Sequence, residues 1–284
     1  MIKIGLTIQE FRGVSPSTWV RMANAVGLPH IEFDHSIFDD VQTVIRHLKS
    51  SVTIHAPYFS DYGFDLGSIE TRGSYAEKFL KNLQTYHKQL GVRGVIIHPP
   101  DDPDGDHETY FSRLMKIHPP IHLENMPTQP WDDFLKFYNH ANSKLAKPAS
   151  LCFDVPHSFI ANGKQFLELP ERLTEELCSR RGYIHISGGE RHEDKHLPLT
   201  QGSTAMLENF DRFIHEIHFQ GTLVMELRPR NIDDLDEIFD SLVRITNFLP
   251  WKSKIQMRFR INIGRRFVMR KARQLQVFHP SEED

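Results

Sequence analysis

Val52-Thr53-Ile54-His55-Ala56-Pro57 is a β-rich run ending on an imidazole, and Gly94-Val95-Ile96-Ile97-His98-Pro99 repeats it after a helical stretch from about Ser68 to Leu90. Val, Ile and Thr fit a pleated strand, Pro closes each run, and the apolar period of 3.6 between them argues helix. Gly91 falls just past that helix, where a left-handed cap is wanted. Two strands separated by a helix's length of chain pair in parallel, because a tight turn can only reverse direction.

The same unit recurs along the chain. Strands are expected at Ile2–Ile8, His30–Asp34, Val52–Pro57, Gly94–Pro99, Ile121–Met126, Leu151–Val155, Tyr183–Ser187 and Thr222–Leu227. Helical patterns fall between them, as at Ser15–Val26, where Ser15 suits an N-cap and Pro16 a first turn. Others run from Trp131 to Leu145, Thr204 to His218 and Ile232 to Leu249. An open doubly wound sheet would carry a glycine-rich loop after its first strand, and Thr7-Ile8-Gln9-Glu10 stands there instead. The expectation is an α/β protein, a (β/α)8 TIM barrel over residues 1–250, with a basic C-terminal extension over 251–284.

Composition fits one such domain. The 284 residues are 39% hydrophobic and 25% charged, enough to bury a full core. Cys152 and Cys178 are the only cysteines, which excludes a disulfide framework and a cysteine-rich metal knuckle. No apolar run approaches the roughly 20 residues that span a bilayer. The opening MIKIGLTI lacks the features of a secretory signal. A cytoplasmic protein without a membrane partner is expected. The net charge is −3, yet nine Lys or Arg and no acid stand between Lys252 and Arg273. That stretch, with Phe259, Ile261, Ile263, Phe267 and Val268, is either a solvated or docked appendage or a surface for phosphates, anionic lipid or nucleic acid, with weak nucleic-acid binding through the tail as the partner expected.

In a (β/α)8 barrel the chemistry sits at the C-terminal ends of the strands. There this chain places His55, His98, Glu124, Asp154 with His157, His185, then Asp194 with His196, and Glu226. Buried polar residues in one layer are costly unless paired or bound to metal. Imidazole and carboxylate without thiolate leave Zn2+, Mn2+ and Fe2+ open. Nine ligands exceed one ion's needs, so two or three ions are expected. His30, His47, His87, His118, His140, His215 and His218 are read as surface or packing residues on helices or helix ends, and Cys152 as a small core residue.

The ordered set His, His-Pro, Glu-Asn, Asp-x-x-His, His, Asp-x-His, Glu resembles the endonuclease IV branch of the xylose-isomerase-like barrels, AP endonuclease family 2, over residues 53–228. That resemblance implies three zinc ions. His55 and His98 would hold one, with Glu124 bridging to a second, which Asp154, His185 and Glu226 would complete. His157, Asp194 and His196 would hold the third. Tyr58 matches a tyrosine that the family places beside its substrate. The family's DNA-entering loop after the second strand is replaced by acidic Asp34-His35-Ser36-Ile37-Phe38-Asp39-Asp40. The segment after its Asp-x-His is replaced by Leu197-Pro198-Leu199-Thr200-Gln201-Gly202.

Three functions follow. The first is hydrolysis of a phosphate ester, abasic-site DNA being the family's substrate, with Glu124, Glu226 and His157 in the catalytic centre and Arg191 and Arg228 clamping phosphate. The second is isomerisation or epimerisation of a sugar or sugar phosphate. It would use one ion on Glu124, Asp154, His185 and Glu226, with the two Glu as acid and base. The third is an oxidative di-iron enzyme or a non-catalytic binding module.

Overall fold

A computed structural model describes residues 2–8, 15–179, 181–228 and 232–274. Gln9, Glu10 and the acids at 282–284 lie outside them. Eight strands close a barrel: β1 (Lys3–Ile8), β2 (His30–Phe33), β3 (Ser51–His55), β4 (Val92–Ile97), β5 (Ile121–Glu124), β6 (Ser150–Asp154), β7 (Tyr183–Ile186) and β10 (Thr222–Met225). Every neighbouring pair is parallel, and β10 closes onto β1 with Lys3 opposite Thr222. Strands β3 and β4 stop short of the expected ends, because Pro57 and Pro99 bring no N–H to the ladder. A two-stranded antiparallel hairpin, β8 (Gly188–Glu190) and β9 (Glu193–Leu197), was not expected and interrupts the chain after β7.

The helices are α1 (Pro16–Val26), α2 (Val41–Ile45), α3 (Phe59–Tyr62), α4 (Glu70–Leu90), α5 (His107–Leu114), α6 (Trp131–Lys144), α7 (Val155–Asn162), α8 (Glu171–Cys178), α9 (Thr204–Glu216), α10 (Ile232–Ile245) and α11 (Trp251–Gln274). Gly27 and Gly91 take the left-handed cap positions that the sequence marks. Ser15 sits at the N-cap of α1, but its hydroxyl bonds Ser17 and Thr18 rather than capping a backbone N–H. The basic stretch is a helix. It lies against α1 and α10 on the outer wall of the barrel.

Strand residues alternate between two cores. Val95, Ile97, Leu151, Phe153, Ile184 and Leu223 face the helices, while Ile96, Cys152, Tyr183 and Val224 form a separate cluster within the barrel. Cys152 is the core residue expected of it. His30 is not on a helix end: it is buried in β2, with its ring nitrogens 2.9 Å from Ser51 Oγ and 2.8 Å from Tyr183 Oη. His122 fills similar space beside Gly94, where an added Cβ would lie 2.5 Å from its Nε2. Burial holds both imidazoles down at about 4, hence neutral.

Candidate metal centre

The period-2 alternation that sends alternate strand residues inward delivers the nine expected ligands to one end of the barrel. His55, Glu124 and Asp154 are the last residues of β3, β5 and β6; His98 and Glu226 follow β4 and β10 directly. His185 lies in β7, His157 in the first turn of α7, and Asp194 and His196 on β9. Their donor atoms form three groups, each within 4.8 Å: His55, His98 and Glu124; Glu124, Asp154, His185 and Glu226; and His157, Asp194 and His196. Glu124 belongs to two. Its Oε2 lies 3.1 Å from His55 Nε2 and 3.2 Å from His98 Nε2, while its Oε1 lies 3.3 Å from His185 Nδ1. One oxygen therefore faces each group, as a bridging carboxylate requires.

Backbone contacts fix which nitrogen of each ring is left over. His55 Nδ1 is 2.8 Å from the Ala56 carbonyl and His157 Nδ1 is 2.9 Å from that of Asn125, so each ring donates there and turns Nε2 towards the carboxylates. Asp154 accepts the His157 N–H on Oδ1 at 2.6 Å, capping α7, and its Oδ2 has no hydrogen-bond partner. Asn125 holds the Asp154 backbone through both its amide atoms at 2.9 Å. His196 adopts φ +46, a left-handed conformation that a non-glycine residue takes at a cost of order 1 kcal/mol, and its carbonyl accepts from the Arg228 N–H.

The donor set fits divalent metal. Besides Asp154 Oδ2, the buried atoms His98 Nε2, both ring nitrogens of His196 and Glu226 Oε2 make no well-aligned hydrogen bond, although Glu124 Oε2 lies 3.2 Å from His98 Nε2 and His185 Nδ1 lies 3.0 Å from Glu226 Oε2. His196 Nε2 is nevertheless 3.0 Å from Asp194 Oδ2, so proximity there is not hydrogen bonding. Buried polar atoms are rarely left this way without a ligand to satisfy them. Charge points the same way. Burial would keep His55 neutral, but Glu226 and Glu124 outweigh it and push it up to about 9. Burial, with Glu124 and Glu226 beside it, pushes Asp154 up to about 7 against His157. Burial also acts to raise Glu226, yet His196, His185 and His55 hold it below the usual carboxylate range. The carboxylates therefore call for positive charge beside them, which protons on the imidazoles or bound cations would supply.

Tyr58 lies over the site, stacked on His98 at 4.1 Å between ring centres, with its hydroxyl 3.4 Å from His55 Nε2. The Arg228 guanidinium stands 5.8 Å from the Tyr58 ring and acts electrostatically on His196, so it is at the mouth. Arg191 is exposed in the turn between β8 and β9, with its guanidinium beside Gly163. A cavity of about 290 Å3 opens between the segments after β2 and β3, lined by His35, Phe38, Asp39, Tyr62, Tyr75 and Lys78 and by none of the nine ligands.

Glu32 is the residue that the sequence reading missed. It is fully buried in β2 and accepts from His185 Nε2 at 3.0 Å, Tyr183 Oη at 2.8 Å and Thr7 Oγ1 at 3.0 Å. His185 Nε2 is held there, leaving Nδ1 for Glu124, Asp154 and Glu226. This is the carboxylate–histidine arrangement that orients metal ligands. The signal was available: an acid between Ile31 and Phe33, in the inward phase of a buried strand.

The model of the xylose isomerase-like TIM barrel family matches residues 13–246. The chain belongs to that family. No curated protein matches the sequence. Among solved structures it is similar to a D-tagatose 3-epimerase-like protein (18% identity, TM-score 0.59, 87% of this chain and 97% of that one). It is also similar to the 3-keto-D-glucoside 4-epimerase of E. coli (17%, TM-score 0.60, 87% and 100%). Endonuclease IV of Thermus thermophilus matches at 15% identity and TM-score 0.55, over 85% of this chain and 99% of that one. At such identities the likeness carries the fold, and the neighbours include both epimerases and an endonuclease.

Proposed function

We propose that this chain is a metal-dependent hydrolase of phosphate esters that holds two or three zinc ions. The observation that carries this reading is the third donor group, His157, Asp194 and His196, beside the two that share Glu124. In this reading His55, His98 and Glu124 hold one ion. Glu124, Asp154, His185 and Glu226 hold the second, and the β9 pair with His157 the third. Bound there, such ions activate a water near neutral pH and stabilise charge on attacking and leaving oxygens. The chain's own part is to aim the imidazoles through Ala56, Asn125 and Glu32, to seal one face with Tyr58, and to offer Arg228 to a phosphate oxygen. The acidic residues after β2 are partly committed to structure: Asp34 accepts from the Ser36 N–H and Asp40 from the Ser17 N–H.

Epimerisation of a sugar or sugar phosphate is the second reading, supported by the two epimerase neighbours. The central group alone would hold its single ion, with Glu124 and Glu226 moving the proton. It leaves His55, His98, Asp194 and His196 without a task. The deciding experiment counts ions per chain in the wild type and in Asp194→Ala/His196→Ala, alongside cleavage of a phosphodiester and of an abasic duplex. Hydrolysis predicts more than one ion, with one ion and most cleavage lost in the variant. A single ion and an unchanged count in the variant would move the assignment to epimerisation.

A further inference from the structure

Trp251, Ile255, Phe259, Ile263 and Phe267 recur every fourth residue along α11, and they are 71, 50, 66, 55 and 53% exposed. They are five of the nine large hydrophobics exposed among the described residues. Met257, Ile261, Gly264, Val268 and Ala272 form the opposite face and are buried, and Met269, in line with Trp251 at the edge of the ridge, is buried as well. At 100° per residue the centres of the two faces are diametrically opposed, so docking on α1 and α10 leaves the ridge pointing outward. Lys252, Arg266, Arg270 and Arg273 fall within that outward arc and are exposed. Arg258 and Arg265 turn aside, to Thr246 and Asn247 and to Asp236 and Asp240. No acid stands anywhere on α11.

We infer that the outward face of α11 docks on an anionic lipid surface. A large apolar ridge on a folded protein marks a contact surface, and the cations around it choose the occupant. A second copy would set cation against cation, which disfavours self-pairing. A phosphate backbone would meet the cations but leave Ile255 and Ile263 without a partner. The aromatics at 251, 259 and 267 are about 12 Å apart along the helix, too far to stack successive bases. An anionic bilayer answers both features: aromatic and branched side chains enter the interface while Lys and Arg meet the headgroups. The described residues include no helix long and apolar enough to cross a membrane, and a surface-lying helix needs none. α11 runs antiparallel to α10, since Arg258 meets Asn247 just past its end and Arg265 meets Asp236 near its start. The bilayer would therefore lie along the barrel wall and leave the metal centre open.

The test is flotation of the full chain with vesicles of phosphatidylcholine, alone or with one third phosphatidylglycerol. Trp19 and Trp131 are buried, so a blue shift of fluorescence on mixing reports Trp251. Binding and blue shift are expected with the anionic vesicles only. Phe259→Asp/Ile263→Asp should abolish both, and Arg266→Gln/Arg270→Gln should weaken partitioning by roughly thirtyfold. All four side chains are exposed, so unchanged melting temperatures should accompany these losses. Full binding by the Asp double variant, or equal binding to neutral vesicles, would overturn the proposal. So would a short DNA duplex or single strand binding through this face while vesicles do not. Light scattering that finds a dimer broken by the Asp variant would assign the face to a second copy instead.

Discussion

Glu32→Gln keeps the shape of a fully buried side chain and removes one acceptor oxygen. In the wild type both carboxylate oxygens are used: Oε1 takes the Thr7 hydroxyl, and Oε2 takes His185 Nε2–H at 3.0 Å and the Tyr183 hydroxyl at 2.8 Å. An amide cannot accept at both positions. With its NH2 towards the Thr7 hydroxyl, which can turn to accept, the amide still takes His185 Nε2–H but without the negative charge; with its NH2 towards His185 it confronts a donor, and the ring must turn at the expense of the metal-facing Nδ1. Loss of such an outer carboxylate lowers metal affinity by about 10- to 100-fold, or about 1.4–2.7 kcal/mol. A buried donor left unpaired adds about 1–3 kcal/mol of lost folding stability. Zinc affinity is read by competition with a chromophoric chelator, and zinc content by elemental analysis. Tyr183→Phe is the control, because it removes one donor to Glu32 without touching the His185 bond; it should lower the melting temperature and leave affinity nearly unchanged. Wild-type affinity and zinc count in Glu32→Gln would refute the orienting role. Equal losses in the two variants would reduce Glu32 to a packing residue.

Glu124→Gln removes the charge that faces two donor groups at once, so elemental analysis should find the ions of both groups depleted and activity lost. Full zinc content in that variant would mean that Glu124 bridges nothing. His30 and His122 sit near 4 in the folded chain against about 6.5 when unfolded, so between those values the unfolded chain binds the additional protons. Their contribution to stability is complete above about 6.5 and is lost as pH falls towards 4, roughly 3 kcal/mol for each. Denaturant titrations across that window should show a shallower pH dependence in His122→Leu than in the wild type; identical slopes would show that His122 is not held neutral. Gly94→Ala should destabilise by about 1–3 kcal/mol, since the new Cβ would stand 2.5 Å from His122 Nε2, and His122→Ala in the same chain should recover part of that loss in a thermal melt.

The barrel was legible because its rules are local. A strand of alternating apolar residues, a proline or a polar residue at its end and a helix of set length can each be read within a dozen positions, and eight repeats leave little choice of closure. The nine candidate ligands could be read together for a related reason: strand ends of a parallel barrel converge, so residues at equivalent positions in sequence become neighbours in space. Features set by pairing between distant segments were not. The hairpin that carries Asp194 and His196 is short and glycine-rich at its start, with little strand propensity to mark it.

The sequence alone determined the architecture, the layer of His, Asp and Glu at the strand ends and the basic character of residues 252–273, because composition and period are properties of short windows. Tertiary structure alone decided three things. It placed Glu32 against His185, 153 residues away, across the inside of the barrel. It put Arg228 at the mouth and Arg191 in an exposed turn, a distinction that two arginines in loops do not announce. It settled which face of α11 is covered: buried Met257 and exposed Phe259 belong to one helix with apolar residues all round, and docking on α1 and α10 chose between them. Each of these depends on where a second segment lies, and that follows only after the chain has closed on itself.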